Sequence, residues 1–151
     1  MPHRVFVYGT LKEGFPNFDN NLGKRVPGTF KTVQRFALYL VGYRHSPWLL
    51  HSESQGAQEA QVEGQVFEVD DDALQAMDRL ERIDMPDGYR RLTIHVVALD
   101  DLKRIAVPVH AYLKPADMLP EDGIMLGPLT AYELSHAALY TPRSAPAAGV
   151  S

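Results

Sequence analysis

The sequence contains no cysteine, which excludes disulfides, a thiol nucleophile, thiolate zinc sites and iron–sulfur clusters and leaves oxygen and imidazole chemistry. Positive charge is in short supply. Fifteen Lys plus Arg stand against nineteen Asp plus Glu, for a formal net charge of −4, and no basic stripe is available to neutralise a phosphate backbone. Nucleic acid is not an expected partner. Long apolar runs are also missing: no stretch approaches the roughly 20 residues that span a bilayer. The opening Met-Pro-His-Arg-Val-Phe-Val-Tyr turns to Gly9-Thr10 before a signal-peptide apolar region forms. The expectation is a cytoplasmic protein with no membrane partner.

Metal and nucleotide motifs are absent as well. The six histidines (His3, His45, His51, His95, His110 and His136) include no i, i+4 helical pair and no H-E-x-x-H, so no metal site is expected. Gly9 and Gly14 match the glycines of G-x-x-x-x-G, but Phe15-Pro16 follows where a phosphate loop needs Lys and Ser or Thr. No serine sits in G-x-S-x-G, which weakens the nucleophile-elbow reading. No cofactor is expected.

What the chain has is 151 residues, 45% of them hydrophobic, enough for one core without a metal or disulfide staple. The expected organisation is a single domain over residues 1–140 with a loose tail over 141–151, rich in Ala, Pro, Gly and Ser. Val5, Phe6, Val7 and Tyr8, closed by Gly9, predict a buried first strand. A short helix is expected from Pro16 to Leu22, and strands over Val33 to Leu40 and Val62 to Val69. Acidic Asp70, Asp71 and Asp72 precede the best helical segment, Ala73 to Arg82, and one of them suits its cap. Tyr89 to Leu99 returns as a strand. Ile105 to Leu113 follows as another, expected at an edge or bulged because Pro108 lacks a ladder donor. Leu129 to Tyr140 carries mixed signals. Many strands with few helices predict an α+β domain, a curved sheet or small barrel carrying one or two helices.

Two places stand out for chemistry. On a helical wheel, Ala73, Leu74, Met77 and Leu80 fall on one side and define an apolar stripe, while Glu81 falls at its margin, between Leu74 and Met77. A carboxylate there is either paired or snorkelling, with Arg79, Arg82, Arg90 and Arg91 as partners, or it sits in a cavity where burial raises its pKa. Asp78 points further to the polar side. The second place is Tyr8-Gly9-Thr10-Leu11, where a glycine directly after a buried strand lets successive backbone N–H groups form a concavity for a carboxylate or oxyanion. An ordinary strand-ending turn reads the same way. Trp48 is core by size or walls a pocket, and spacing does not decide.

The ordered set of motifs carries a resemblance. Val5-Phe6-Val7-Tyr8-Gly9-Thr10-Leu11-Lys12-Glu13-Gly14 with Pro16-Asn17, then Pro47-Trp48-Leu49-Leu50-His51, then Val62 to Asp70, then Leu74, Met77-Asp78-Arg79-Leu80-Glu81 and Tyr89-Arg90-Arg91, resembles the gamma-glutamylcyclotransferase superfamily. Its gamma-glutamylamine cyclotransferase branch is the most similar, over most of residues 4 to 113. The resemblance implies a small mixed β-barrel with flanking short helices, and a pocket in which the Tyr8 to Leu11 loop faces Glu81. It implies release of 5-oxoproline from a small γ-glutamyl substrate by intramolecular attack, a transferase- or lyase-type reaction, without metal or cofactor.

In that reaction the α-amine must be neutral to attack its own γ-carbonyl, and the departing amine must be protonated. Glu81 as general acid/base meets both needs, with partial burial expected to bring its pKa toward the working pH. Gly9, Thr10 and Leu11 are expected to bind the substrate's α-carboxylate or the oxyanion, with Tyr8 beside them at the substrate, and Tyr89 and Tyr112 to orient Glu81 or line the pocket. The segment Arg82 to Gly88 departs from the branch, so the leaving amine, lysine or another, stays open. Two alternatives remain at this level. One is a non-catalytic module binding a carboxylate ligand; the other is a γ-glutamyl hydrolase or transferase.

Overall fold

The computed structural model describes residues 2–51, 60–120 and 122–142. Its strands are β1 (His3–Val7), β2 (Lys24–Thr32), β3 (Ala37–Val41), β4 (Ser46–His51), β5 (Glu63–Val69), β6 (Arg90–Ala98), β7 (Val107–Pro115) and β8 (Ile124–Leu129), with helices α1 (Asp71–Leu80) and α2 (Leu134–Ala137). The order β1-β5-β2-β6-β7 runs through antiparallel neighbours, and parallel pairing of β1 with β7 at Val5 and His110 closes it into a five-stranded mixed barrel. Strands β4, β3 and β8 extend the sheet from β7, β4 running parallel to it through Leu50 and Lys114. This is the expected small mixed barrel with short helices.

The period-2 alternation of β1 explains why Val5, Phe6 and Val7 are all apolar, since successive side chains enter two different buried faces. Phe6 points into the barrel with Leu38, Val66, Val96, Leu113 and Tyr132, while Val5 and Val7 face the other way, against Ala73, Leu74 and Met77 of α1. Both faces of the strand are buried. Gly64 near the start of β5 has a steric reason: a Cβ there would lie 2.5 Å from the Val7 carbonyl oxygen and 2.7 Å from the Phe6 ring. Helix α1 begins as its acidic residues predict, with Asp70 Oδ1 accepting from the Ala73 N–H at 2.8 Å. Met77 is fully buried, a gain of about 2 kcal/mol for a side chain of that size.

Several local expectations are corrected. The Pro16 to Leu22 segment forms only a 3-10 turn at Phe18–Asn20. Its asparagines bond elsewhere, Asn17 Nδ2 to Thr10 Oγ1 and Asn21 Nδ2 to the Leu11 carbonyl, and side-chain bonds of that kind compete with a helix. The strand expected over Val33 to Leu40 is broken, because Thr32 Oγ1 donates to the Gln34 carbonyl and turns the chain between β2 and β3. Strand β2 was hidden by Pro27-Gly28, a bulge with Gly28 at φ 98°. Strand β7 lies inside the sheet; Pro108 is tolerated because it pairs only with β6, two residues before β1 joins at His110. Helix α1 stops at Leu80, which is 39% exposed rather than in the core stripe because the last turn borders a cavity.

Thr141 and Pro142, expected in the tail, reach the body of the protein: the Thr141 N–H donates to the Arg44 carbonyl at 2.9 Å. The rest of the expected tail, 143–151, lies outside the described residues. Among the described residues no helix is long and apolar enough to cross a membrane.

Candidate active site

A cavity of about 760 Å³ opens where the end of β1, the end of α1, the start of β6 and the end of β7 converge. Its walls bring together every residue singled out for chemistry: Tyr8, Gly9, Thr10, Leu11, Glu81, Tyr89 and Tyr112. Chain reversals put them there. Glu81 caps α1, Arg82 turns the chain in the left-handed region at φ 57°, and the Tyr89 N–H returns to the Glu81 carbonyl at 3.0 Å. Gly88 is obligatory in that return, since a Cβ on it would stand 1.7 Å from the Arg82 carbonyl oxygen.

The loop after β1 is shaped by its carbonyls. The Gly9 carbonyl accepts from the Lys12 N–H and the Thr10 carbonyl from the Asn17 N–H, while the N–H groups of Gly9, Thr10 and Leu11 donate in no turn bond among the described residues. Those three donors remain for an anion or a developing oxyanion. Gly9 packs directly on Pro47, where a Cβ would come within 2.7 Å of the ring.

Three tyrosines surround the Glu81 carboxylate closely enough to feel its charge, and each gives its hydroxyl proton to another group. Tyr8 donates to the Tyr112 carbonyl at 2.7 Å, Tyr89 to the Pro47 carbonyl at 2.9 Å, and Tyr112 to Asp78 Oδ1 at 2.7 Å. Burial raises the pKa of all three; next in effect are the Glu81 charge for Tyr8, the neighbouring Tyr8 for Tyr89, and the bond to Asp78 for Tyr112. They are neutral phenols at any working pH. A phenol that donates to Glu81 would stabilise the carboxylate and weaken it as a base. Here the phenolic protons are committed elsewhere.

Other residues of the site were not assigned a role from the sequence. Asp78, set aside as pointing to the polar side, lies against Tyr112 and pairs with Arg91 at 2.7 Å. Trp48 walls the cavity, and Lys114 Nζ sits 4.4 Å from its ring centroid and 4.6 Å from that of Tyr89 while donating to the Asp87 carbonyl. Arg44 and Tyr140 close the rim, with the Tyr140 hydroxyl accepting from Arg44 Nη2 at 3.3 Å and Asn17 Nδ2 at 3.2 Å. These contacts join segments remote in sequence, and only the aromatic character of Trp48 gave a signal.

Residues 5–143 match the model of the gamma-glutamyl cyclotransferase, AIG2-like family. The chain belongs to that family. The match extends well past Leu113, where the resemblance read from the sequence faded. A relative named gamma-glutamylaminecyclotransferase from Bos taurus is 32% identical over 146 residues, covering 92% of this chain and 82% of its own. One of the same name from Mus musculus is 37% identical over 105 residues, 66% of each chain. The crystal structure of an AIG2-like protein from Mus musculus superposes with a TM-score of 0.76 at 28% identity, covering 96% of this chain and 99% of that one. Membership of this family makes the protein an enzyme of the gamma-glutamylcyclotransferase class.

Proposed function

We propose that the protein is a γ-glutamylamine cyclotransferase, and that Glu81 is its general acid/base. The observation that carries this is the shared cavity: the Glu81 carboxylate, three backbone N–H groups of Gly9 to Leu11, and the phenols of Tyr8, Tyr89 and Tyr112, whose protons are engaged elsewhere. Glu81 takes a proton from the substrate's α-amine. The amine nitrogen attacks the γ-carbonyl carbon, forming the five-membered lactam. The bond from that carbon to the departing amine breaks as Glu81 returns the proton to the leaving nitrogen. The products are 5-oxoproline and a free amine, lysine where the substrate is γ-glutamyl-ε-lysine, and no water is consumed.

Both reacting groups belong to one molecule, so holding the glutamyl chain bent supplies much of the rate. Backbone donors at Gly9, Thr10 and Leu11 suit either the α-carboxylate or the oxyanion. The names of the bovine and mouse relatives support an amine rather than an amino-acid leaving group.

The test is mass-spectrometric detection of 5-oxoproline from a panel of γ-glutamyl amines and dipeptides, with wild type and Glu81→Gln. Product from wild type and a loss of about 10²-fold or more in the variant are expected. Glutamate in place of 5-oxoproline would overturn the reading in favour of hydrolysis, and a ligand recovered unchanged would overturn it in favour of a binding module.

A further inference from the structure

Asp78 and Glu81 stand three residues apart on the last turn of α1, which places their side chains on one side of the helix at roughly 5–6 Å between Cβ atoms. A second negative charge so close to Glu81 favours the protonated form of Glu81, and a cation bound to that neighbour offsets part of the effect. Asp78 is held on both oxygens: Arg91 Nη1 binds its Oδ2 at 2.7 Å, and its Oδ1 takes the Tyr112 hydroxyl at 2.7 Å. The Asp78 side chain is 16% exposed, so its charge is poorly screened.

We infer that Asp78, held by Arg91, is a positioning residue that sets the proton affinity of Glu81 from behind the cavity wall. It acts in two ways. Its carboxylate keeps a negative charge near Glu81, favouring the protonated form. It also takes the one proton of Tyr112, which would otherwise be available to stabilise ionised Glu81. Arg91 tempers the first effect and fixes the geometry of the second. Neither residue lines the cavity, so neither touches substrate. This inference rests on the acid/base reading of Glu81 for its consequence in catalysis, not for its electrostatics.

Other charged and titratable groups lie around the cavity, and Arg90 donates to the Gly88 carbonyl at 2.9 Å. Arg82 pairs with Asp87, and Arg79 lines the cavity on α1 itself. From β7, Lys114 donates to the Asp87 carbonyl and lies between two aromatic rings; from the turn between β3 and β4, Arg44 holds Tyr140 and the Thr141 carbonyl. Tyr8, Tyr89 and Tyr112 are neutral phenols. None of these residues is substituted in the variants below; Tyr112 alone among them loses its ionised acceptor in Asp78→Asn.

The test is a ¹³C NMR titration of the glutamate carboxyls of the full chain, with Glu81 assigned by its absence in Glu81→Gln, alongside the acid limb of the kcat profile for 5-oxoproline release. Asp78→Asn removes a negative charge and shifts the Glu81 midpoint down; Arg91→Gln leaves Asp78 unopposed and shifts it up, each by about half a pH unit or more across this separation. The double variant returns toward wild type, and Arg91→Lys stays there. Cancellation in the double variant separates an electrostatic role from structural damage, which accumulates. Shifts of the same sign, or none, overturn the inference. Should Asp78→Asn fail to fold, the contrast between Arg91→Gln and Arg91→Lys decides. If wild type forms no 5-oxoproline, the proposed reaction fails on its own account, and the NMR titration still judges the role of Asp78.

Discussion

The N–H of Tyr89 donates to the carbonyl of Glu81 at 3.0 Å, so the residue that ends the helix and the residue that opens the next strand are fastened to each other by main chain alone. The seven-residue excursion between them is closed by Gly88, whose missing Cβ leaves room for the Arg82 carbonyl. Gly88→Ala puts a methyl group into backbone, not into a flexible side chain, so the turn itself must move. We expect it to lower Tm by more than about 5 °C, in the class of severe backbone effects. Activity should fall by at least tenfold at a temperature where the variant is still folded, because Glu81 and Tyr89 shift together. Thermal melts with parallel 5-oxoproline assays check this; wild-type values for both would show that the turn does not set the site.

Tyr8 fastens the barrel closure in a similar way. Its hydroxyl is buried and satisfies the Tyr112 carbonyl across β1 and β7. Tyr8→Phe leaves that carbonyl without its donor at a cost of about 1–2 kcal/mol, or a Tm loss of about 3–6 °C. Because the lost proton never went to Glu81, the acid limb of the pH profile should stay near its wild-type position apart from the lost desolvation, and the main change should be in stability. A large displacement of that limb would mean that Tyr8 donates to Glu81 during turnover.

Lys12 offers a test by pH. Its Nζ donates to the Tyr132 carbonyl and lies 4.3 Å from the Phe15 ring centroid, and burial is the main reason its pKa falls from 10.5 to about 8. Between those two values the unfolded chain binds more protons than the folded one, so the Lys12 contribution to stability rises as pH increases from about 8 toward 10.5. Below pH 8 it holds its least favourable value. In Lys12→Met this rise is absent. The stability difference between wild type and Lys12→Met should therefore move in favour of wild type through that window, measured by urea denaturation at stepped pH. A constant difference would show that Lys12 titrates normally in the fold.

The barrel strands that alternate or are apolar on both faces, β1, β5 and β6, were legible from residue types alone, as was the Asp70 cap. Strands β2, β4 and β8 were not. Pro27-Gly28 breaks β2 into halves that look like loop, and Ile124 to Leu126 of β8 face solvent at the sheet edge, so no buried face imposes a pattern. Of the seven residues picked for chemistry, which all line one cavity, Tyr8 to Leu11 and Glu81 carried local signals, a glycine after a buried strand and a carboxylate at the edge of a helical stripe, while Tyr89 and Tyr112 came only from the family resemblance. Asp78 was misread for the opposite reason. Its partners Tyr112 and Arg91 come from β7 and β6, and a helical wheel records only the helix, so a residue on the polar side of α1 looked solvent-facing when a neighbouring strand covers it.

The rim of the cavity illustrates the same limit and carries the last prediction. Tyr140 lies in a segment with no clear pattern, yet its hydroxyl accepts from both Arg44 and Asn17, and Asn17 in turn donates to Thr10 Oγ1 in the loop after β1. Tyr140 thus ties the end of the described chain to the backbone donors of Gly9 to Leu11. Tyr140→Phe keeps the ring against Arg44 and removes only the shared acceptor, worth about 1 kcal/mol. If the tie orders the loop equally for bound substrate and transition state, KM should rise by about fivefold with kcat nearly unchanged. The ratio is the informative quantity in steady-state kinetics. A fall in kcat at constant KM would mean that the loop is held tightly only as the lactam forms, which would place the Gly9 to Leu11 donors on the developing oxyanion rather than on the substrate's carboxylate.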